Sequence, residues 1–202
     1  QETAGDFRPQ LLSLLSRCVS QRLMFLVDDN LFIEAFDLAQ ICKYETPYSL
    51  PSLRMGENIN YSQPSQSADP PPRLYSYNDA DAPAAYKALH GNVQAVDSDL
   101  LCWKWAEGGQ HSWGYPLSVD GHIFHTAEIR ALIKHISFQS PNQLEAKLQR
   151  YRRFFLDRLG VCYRKPPLLN LPINIVQSDF DNVHGNLHQD ELLEKWQQGM
   201  QI

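Results

Sequence analysis

The sequence contains no uninterrupted apolar run longer than five residues, far short of the roughly 20 that a membrane-spanning helix needs. Its four cysteines, Cys18, Cys42, Cys102 and Cys162, are widely separated and form no CxxC pair. That spacing suggests neither a zinc site nor a disulfide framework, and a reducing cytoplasm is the expected compartment. Positive charge is not in excess either: 18 Lys and Arg stand against 23 Asp and Glu, for a formal net charge of -5 and a pI near 5.8. A general nucleic-acid binder, which would show a strongly basic face, is therefore not expected. There is no HExxH or HxH motif and no internal repeat. The chain opens on Gln1 without the basic start and apolar core of a signal peptide, and it reads as part of a longer product.

What is present is ordinary globular composition, 43% hydrophobic and 20% charged over 202 residues, enough for one domain with a sizeable core. Leu11, Leu12, Leu14 and Leu15 share one side of a helix predicted over residues 9–20, and an apolar strand over 22–28 follows almost at once. Helix followed by strand points to an α/β layer. A short helix is predicted over 37–43, with Asp37 near its start, and weaker strands over 50–55 and 59–62. Residues 63–99, which include Pro64, Pro70, Pro71 and Pro72, read as a long Pro-rich surface excursion containing a short helix near 84–89.

From Leu100 the pattern alternates like a strand through Trp105 and reaches the glycine turn Gly108-Gly109. Trp103, Trp105, Trp113 and Tyr115 crowd this region; they could line a sugar or nucleotide pocket, although Trp103 or Trp105 reads better as core. Thr126 is the expected N-cap of a helix carrying Ile129, Leu132, Ile133 and Ile136. A second helix begins near Pro141 and is basic, with Lys147, Arg150, Arg152, Arg153 and Arg158. It reads as a solvated face, with an anionic acceptor or a membrane surface as the alternative. Short strands are expected near 161–163 and 168–169, and a last helix over about 189–197.

The most informative feature is the acidic end of the run Leu23-Met24-Phe25-Leu26-Val27-Asp28-Asp29-Asn30. A buried central strand must end where the chain meets solvent, and two carboxylates at that point suit a hard cation such as magnesium or manganese that keeps open positions for substrate phosphates. Asp and Asn also stabilise plain turns, and that reading stands beside the first.

The order of the strings FLVDDNLF, SLRMGENINY, WKWAEGGQHSWGYPLSVDGHIFHTAEI, FQSPNQLEA and LLNLPINIVQ resembles bacterial glycosyltransferase-like proteins of the GT-A fold, glycosyltransferase family 2-like, across most of the chain. The resemblance implies an α/β, partial GT-A-like (Rossmann-like) three-layer sandwich with a mixed sheet, in which 1–202 is a single GT-A-like domain forming the C-terminal portion of a longer one. It also implies a nucleotide-sugar donor, a glycan or small-molecule acceptor, and Mg2+ or Mn2+ as cofactor. Asp28 and Asp29 would occupy the acidic motif; either Asp29 is the main ligand supported by Asp28, or Asp28 acts with Asn30.

By the same resemblance His184 corresponds to a late metal-binding histidine, and its alternative role is a plain surface histidine. Asp120 would be the base that activates the acceptor hydroxyl in an inverting transfer, and its alternative role is to cap the Asp120-Gly121 turn. Asn30, Trp113, Tyr115, His122, Asn174 and Gln177 are the candidate substrate contacts. GT-A domains reach their acidic motif after about a hundred residues of nucleotide-binding structure, whereas this chain reaches it at Asp28. The chain is then a fragment, or its other half lies on a second polypeptide, or donor binding has been lost. A noncatalytic carbohydrate-binding or interaction protein and a metal-dependent phosphohydrolase are the competing functions.

Overall fold

The computed structural model describes residues 7–62, 65–93, 99–171 and 189–199. The chain runs α1 (Phe7–Arg17), β1 (Arg22–Met24), β2 (Asn30–Phe32), α2 (Leu38–Ile41), β3 (Ser49–Ser52), β4 (Tyr61–Ser62), β5 (Ser67–Ala68) and β6 (Tyr75–Ser76). It continues through α3 (Ala84–Val93), β7 (Leu100–Lys104), β8 (Ile123–His125), α4 (Thr126–Lys134), α5 (Pro141–Leu148), β9 (Leu159–Tyr163), β10 (Leu168–Asn170) and α6 (Gln189–Gln197). Four of these strands form a mixed sheet in the order β3-β9-β7-β6, with β3 parallel to β9 and the other pairs antiparallel.

The sheet works because its strand residues alternate between two apolar layers. Leu101, Trp103 and Cys162 face one layer with Leu15 of α1, Ile129 and Ile133 of α4, and Leu144 and Leu148 of α5. Leu100, Cys102, Leu159 and Val161 face the other, with Ile41 and Tyr44 after α2 and Tyr86 of α3. This is period-2 geometry with helices on both faces, so the fold is mixed α/β. The register puts Trp103 opposite Gly160, and a Cβ at Gly160 would come within 2.2 Å of the Trp103 ring. Trp103 itself meets Trp105 and Trp113 edge-on, at centroid distances of 4.7 and 5.1 Å.

Three predicted elements differ from the structure. The strand expected over 22–28 is ordered into a ladder only over Arg22–Met24 and is half-buried, not central. Among the described residues it pairs with β8 alone, and Leu26, beyond the ladder, is 47% exposed. The segment 63–99 is not wholly a surface excursion, because β6 is an edge strand of the main sheet and Tyr86 is completely buried. Proline is tolerated on this path because the Pro-rich turn ends before the sheet ladder begins. Finally, His125 and not Thr126 occupies the capping position of α4, and the Thr126 amide donates to the Gln21 carbonyl instead.

Other terminations follow the local chemistry closely. Asp37 caps α2 by accepting from the Gln40 amide at 3.0 Å, and Ser140 caps α5 by accepting from the Gln143 amide, with Pro141 at the first helical position. Arg158 is held by both carboxylate oxygens of Glu128 in the first turn of α4. Among the described residues no helix is long and apolar enough to cross a membrane.

Candidate functional site

The acidic pair occupies the two central positions of a tight turn. The Asn30 amide donates to the Val27 carbonyl at 3.0 Å, while the Asn30 side-chain oxygen accepts from the Val27 amide at 2.9 Å. Asp28 and Asp29 lie between the end of the β1 segment and β2; Asp28 is exposed and Asp29 half-buried. The Asp29 carbonyl accepts from the Leu171 amide at 2.9 Å, which fixes the turn to the chain just after β10. The acidic pair is thus part of a turn, as the alternative reading of the sequence expected.

The other arm of Asn30 reaches a residue 90 positions away: its side-chain nitrogen donates to one carboxylate oxygen of Asp120. The second oxygen of Asp120 accepts from Arg54 at 3.0 Å. Asp120 is only 6% exposed. A buried carboxylate needs such partners, and here a guanidinium supplies charge while an amide supplies direction. The backbone beside it is fixed too. The Gly121 amide donates to the Phe25 carbonyl, and the Gly121 carbonyl accepts from the Leu53 amide at 2.9 Å. Gly121 has φ +68, and a Cβ there would lie 2.3 Å from a Leu168 methyl, so this turn requires glycine on both counts.

A third contact holds the same loop from the helical side. Glu145 of α5 accepts from the Ser118 hydroxyl at 2.6 Å and from the Val119 amide at 3.1 Å. Tyr115 is half-buried nearby; burial raises its phenol above the ordinary value, the Glu145 carboxylate adds to this, and the Arg54 guanidinium opposes it. Tyr115 therefore stays a neutral hydroxyl across the physiological range.

His122 is completely buried. Its Nδ1 donates to the Pro116 carbonyl at 3.1 Å, while Nε2 makes no hydrogen bond among the described residues. Burial lowers its pKa to about 3, and the nearby positive charge of Arg54 adds to the effect; the Pro116 bond and Asp120 pull the other way without reversing it. The ring is neutral and sits against Trp105, centroids 5.4 Å apart.

The predicted residues accordingly fall into three groups. Asn30 and Asp120 are brought into contact across 90 positions of sequence, with Asp28 and Asp29 in the turn beside Asn30, His122 adjoining from inside and Tyr115 close enough to Arg54 to share its field. Trp113 is fully buried, its indole N–H given to the Ile59 carbonyl at 3.0 Å, so it builds core and presents no face to a ligand. Asn174, Gln177 and His184 lie outside the described residues.

Two residues of the cluster were not anticipated. Arg54 lies just past β3 inside SLRMGENINY, where a lone arginine after an apolar strand was the available signal. Glu145 sits in α5, whose other charged residue, Lys147, is basic, and no spacing in the sequence links it to Ser118.

No protein-family model, curated protein or solved structure matches the chain. Among the described residues, no group of three or more His, Cys, Asp or Glu side chains could hold a metal ion. Two acids on one turn fit the other mode of binding a small hard cation, in which one or two carboxylates act together with substrate phosphates and water.

Proposed function

We propose that the chain is the metal- and acceptor-side portion of a GT-A-like, metal-dependent glycosyltransferase, taking sugar from a nucleotide-sugar to a glycan or small-molecule acceptor. One observation supports this above the others: Asn30 ties the Asp28-Asp29 turn to the buried Asp120–Arg54 pair, joining the two sequence regions that the transferase reading needs together. Mixed α/β layering with helices on both faces of the sheet agrees with it. Asp28 and Asp29 would hold Mg2+ or Mn2+. When bound, such an ion supplies charge neutralisation to a leaving diphosphate.

Asp120, as placed, is a positioning residue: it is 6% exposed and is held by Asn30 on one oxygen and by Arg54 on the other. Service as the base for an acceptor hydroxyl would use a lone pair that neither Asn30 nor Arg54 occupies, and would require the hydroxyl to reach a buried carboxylate. A cytoplasmic setting goes with this reading, since all four cysteines are free thiols.

Calorimetric titration of Mn2+ or Mg2+ against the chain, with and without uridine or guanosine diphosphate, tests the proposal. Because two acids make an incomplete cage, metal and nucleotide should each raise the other's affinity by about tenfold or more. Asp29→Ala should abolish that coupling. Nucleotide binding that is indifferent to metal and to Asp29→Ala would overturn the reading, and glycan binding without donor binding would favour a noncatalytic carbohydrate-binding protein.

A further inference from the structure

The structure points to a second surface, remote in role from the acidic turn and independent of the transferase reading. After α5 the chain tightens into a 3-10 helix over Gln149–Phe154. With three residues per turn, positions i and i+3 stand directly above one another, so six residues sort into three rows. The inward row is Gln149 and Arg152. Arg152 donates to the Gly109 carbonyl at 2.6 Å and to the Gln110 side chain at 3.0 Å, and Phe155 just beyond is buried in the core. A second row is Arg150 and Arg153, both exposed, continued backward by Lys147. The third is Tyr151 and Phe154, whose rings stack at 6.5 Å.

The two outward rows make an unusual surface for this chain. From Lys147 to Phe154 there are four basic residues and no acid, while the rest of the sequence has 14 Lys and Arg against 23 Asp and Glu. None of Lys147, Arg150, Arg152 or Arg153 forms an ion pair among the described residues. A solvated helix face explains exposed arginines. It does not explain Phe154, which is 59% exposed at the same edge.

We propose that the Arg150–Arg153 row and Phe154 dock the protein on an anionic membrane surface. Cations on one row meet lipid phosphates, and the adjoining aromatic enters the boundary between headgroups and acyl chains, the pairing that interfacial segments use. A single-stranded nucleic acid would want the same charges but also a free ring face for base stacking. Here the Arg153 guanidinium lies over the Phe154 ring, 4.8 Å from its centroid, and Tyr151 stacks beside it. The ring's stacking contacts are thus made within the chain, and what it offers outward is apolar bulk. Tyr151 is itself packed partly against the core, which anchors the row.

Co-sedimentation with phosphatidylcholine vesicles, with and without 30 mol% phosphatidylglycerol (roughly the anionic fraction that creates an attractive surface potential), tests this with the whole chain. Binding is expected only to the anionic vesicles, falling in about 0.5 M salt as charges are screened. At about fivefold per arginine, Arg150→Gln/Arg153→Gln should weaken binding about 25-fold. Phe154→Ser should weaken it by about fivefold even at low salt. All three positions are exposed, and an unchanged urea midpoint shows that a loss of binding is not unfolding. Absence of binding, equal binding to neutral vesicles, or a double variant that binds like the parent would each overturn the proposal. So would an oligonucleotide that binds through Arg150 and Arg153 while vesicles stay unbound.

Discussion

Asn30 is the joint between the acidic turn and Asp120, and its worth can be measured with a double-mutant cycle on Asn30→Ala and Asp120→Ala. Asn30 makes one bond to a neutral group, the Val27 amide, and one to a carboxylate. At about 1 kcal/mol for the first and about 2 kcal/mol for the charged one, Asn30→Ala should cost about 3 kcal/mol. Asp120→Ala removes the bonds from Asn30 and Arg54 and should cost about 4 kcal/mol by the same scale. The double variant loses the Asn30–Asp120 bond only once, so it should cost about 5 kcal/mol, leaving a coupling of about 2 kcal/mol. Urea unfolding of the four proteins at neutral pH, with the slope checked for constancy, gives the coupling directly. A value below about 0.5 kcal/mol would mean that the two residues act independently. The acidic turn would then not be held by Asp120, and the central support for the proposed function would be gone.

Two other outcomes follow from the interior of the protein. His122 is held neutral, with its pKa lowered to about 3 from an ordinary value near 6.5, so the unfolded chain binds a proton that the folded chain refuses between those pH values. Its contribution is present in full above about pH 6.5 and is lost as pH falls, by up to about 1.4 kcal/mol per pH unit; urea midpoints from pH 7 to 4 should flatten in His122→Phe, and an unchanged pH slope would refute the burial argument. Gly160→Ala drives a methyl into the Trp103 ring, which Trp105 and Trp113 prevent from retreating, and should destabilise by about 1–3 kcal/mol or more in the same assay.

Local chemistry was legible in the sequence wherever one segment decides its own structure. The alternation of Leu100 to Lys104 appears as β7, and Ser140-Pro141 opens α5 as its side chains require. Contacts made across the chain were less visible. Leu23 to Val27 carries the composition of a buried central strand, but burial depends on neighbours, and only β8 lies alongside. Tyr75 and Tyr86 sit in a Pro-rich stretch whose composition suggests surface, yet each supplies an aromatic side chain to the core. The candidate site divides in the same way. Its acids stood out because they are adjacent, whereas Arg54 and Glu145 matter through partners 66 and 26 or 27 positions away, a relation that no spacing rule contains.

The layering of the sheet also separates the chromophores. Trp103, Trp105 and Trp113 all lie on the face covered by α1, α4 and α5, while Tyr44, Tyr75 and Tyr86 lie on the opposite face. The remaining tryptophan, Trp196, is 66% exposed. Near-ultraviolet dichroism above the tyrosine bands therefore follows the packing of the indole face. Loss of packing that begins on that side of the sheet would be seen in the indole bands, without any label having been added.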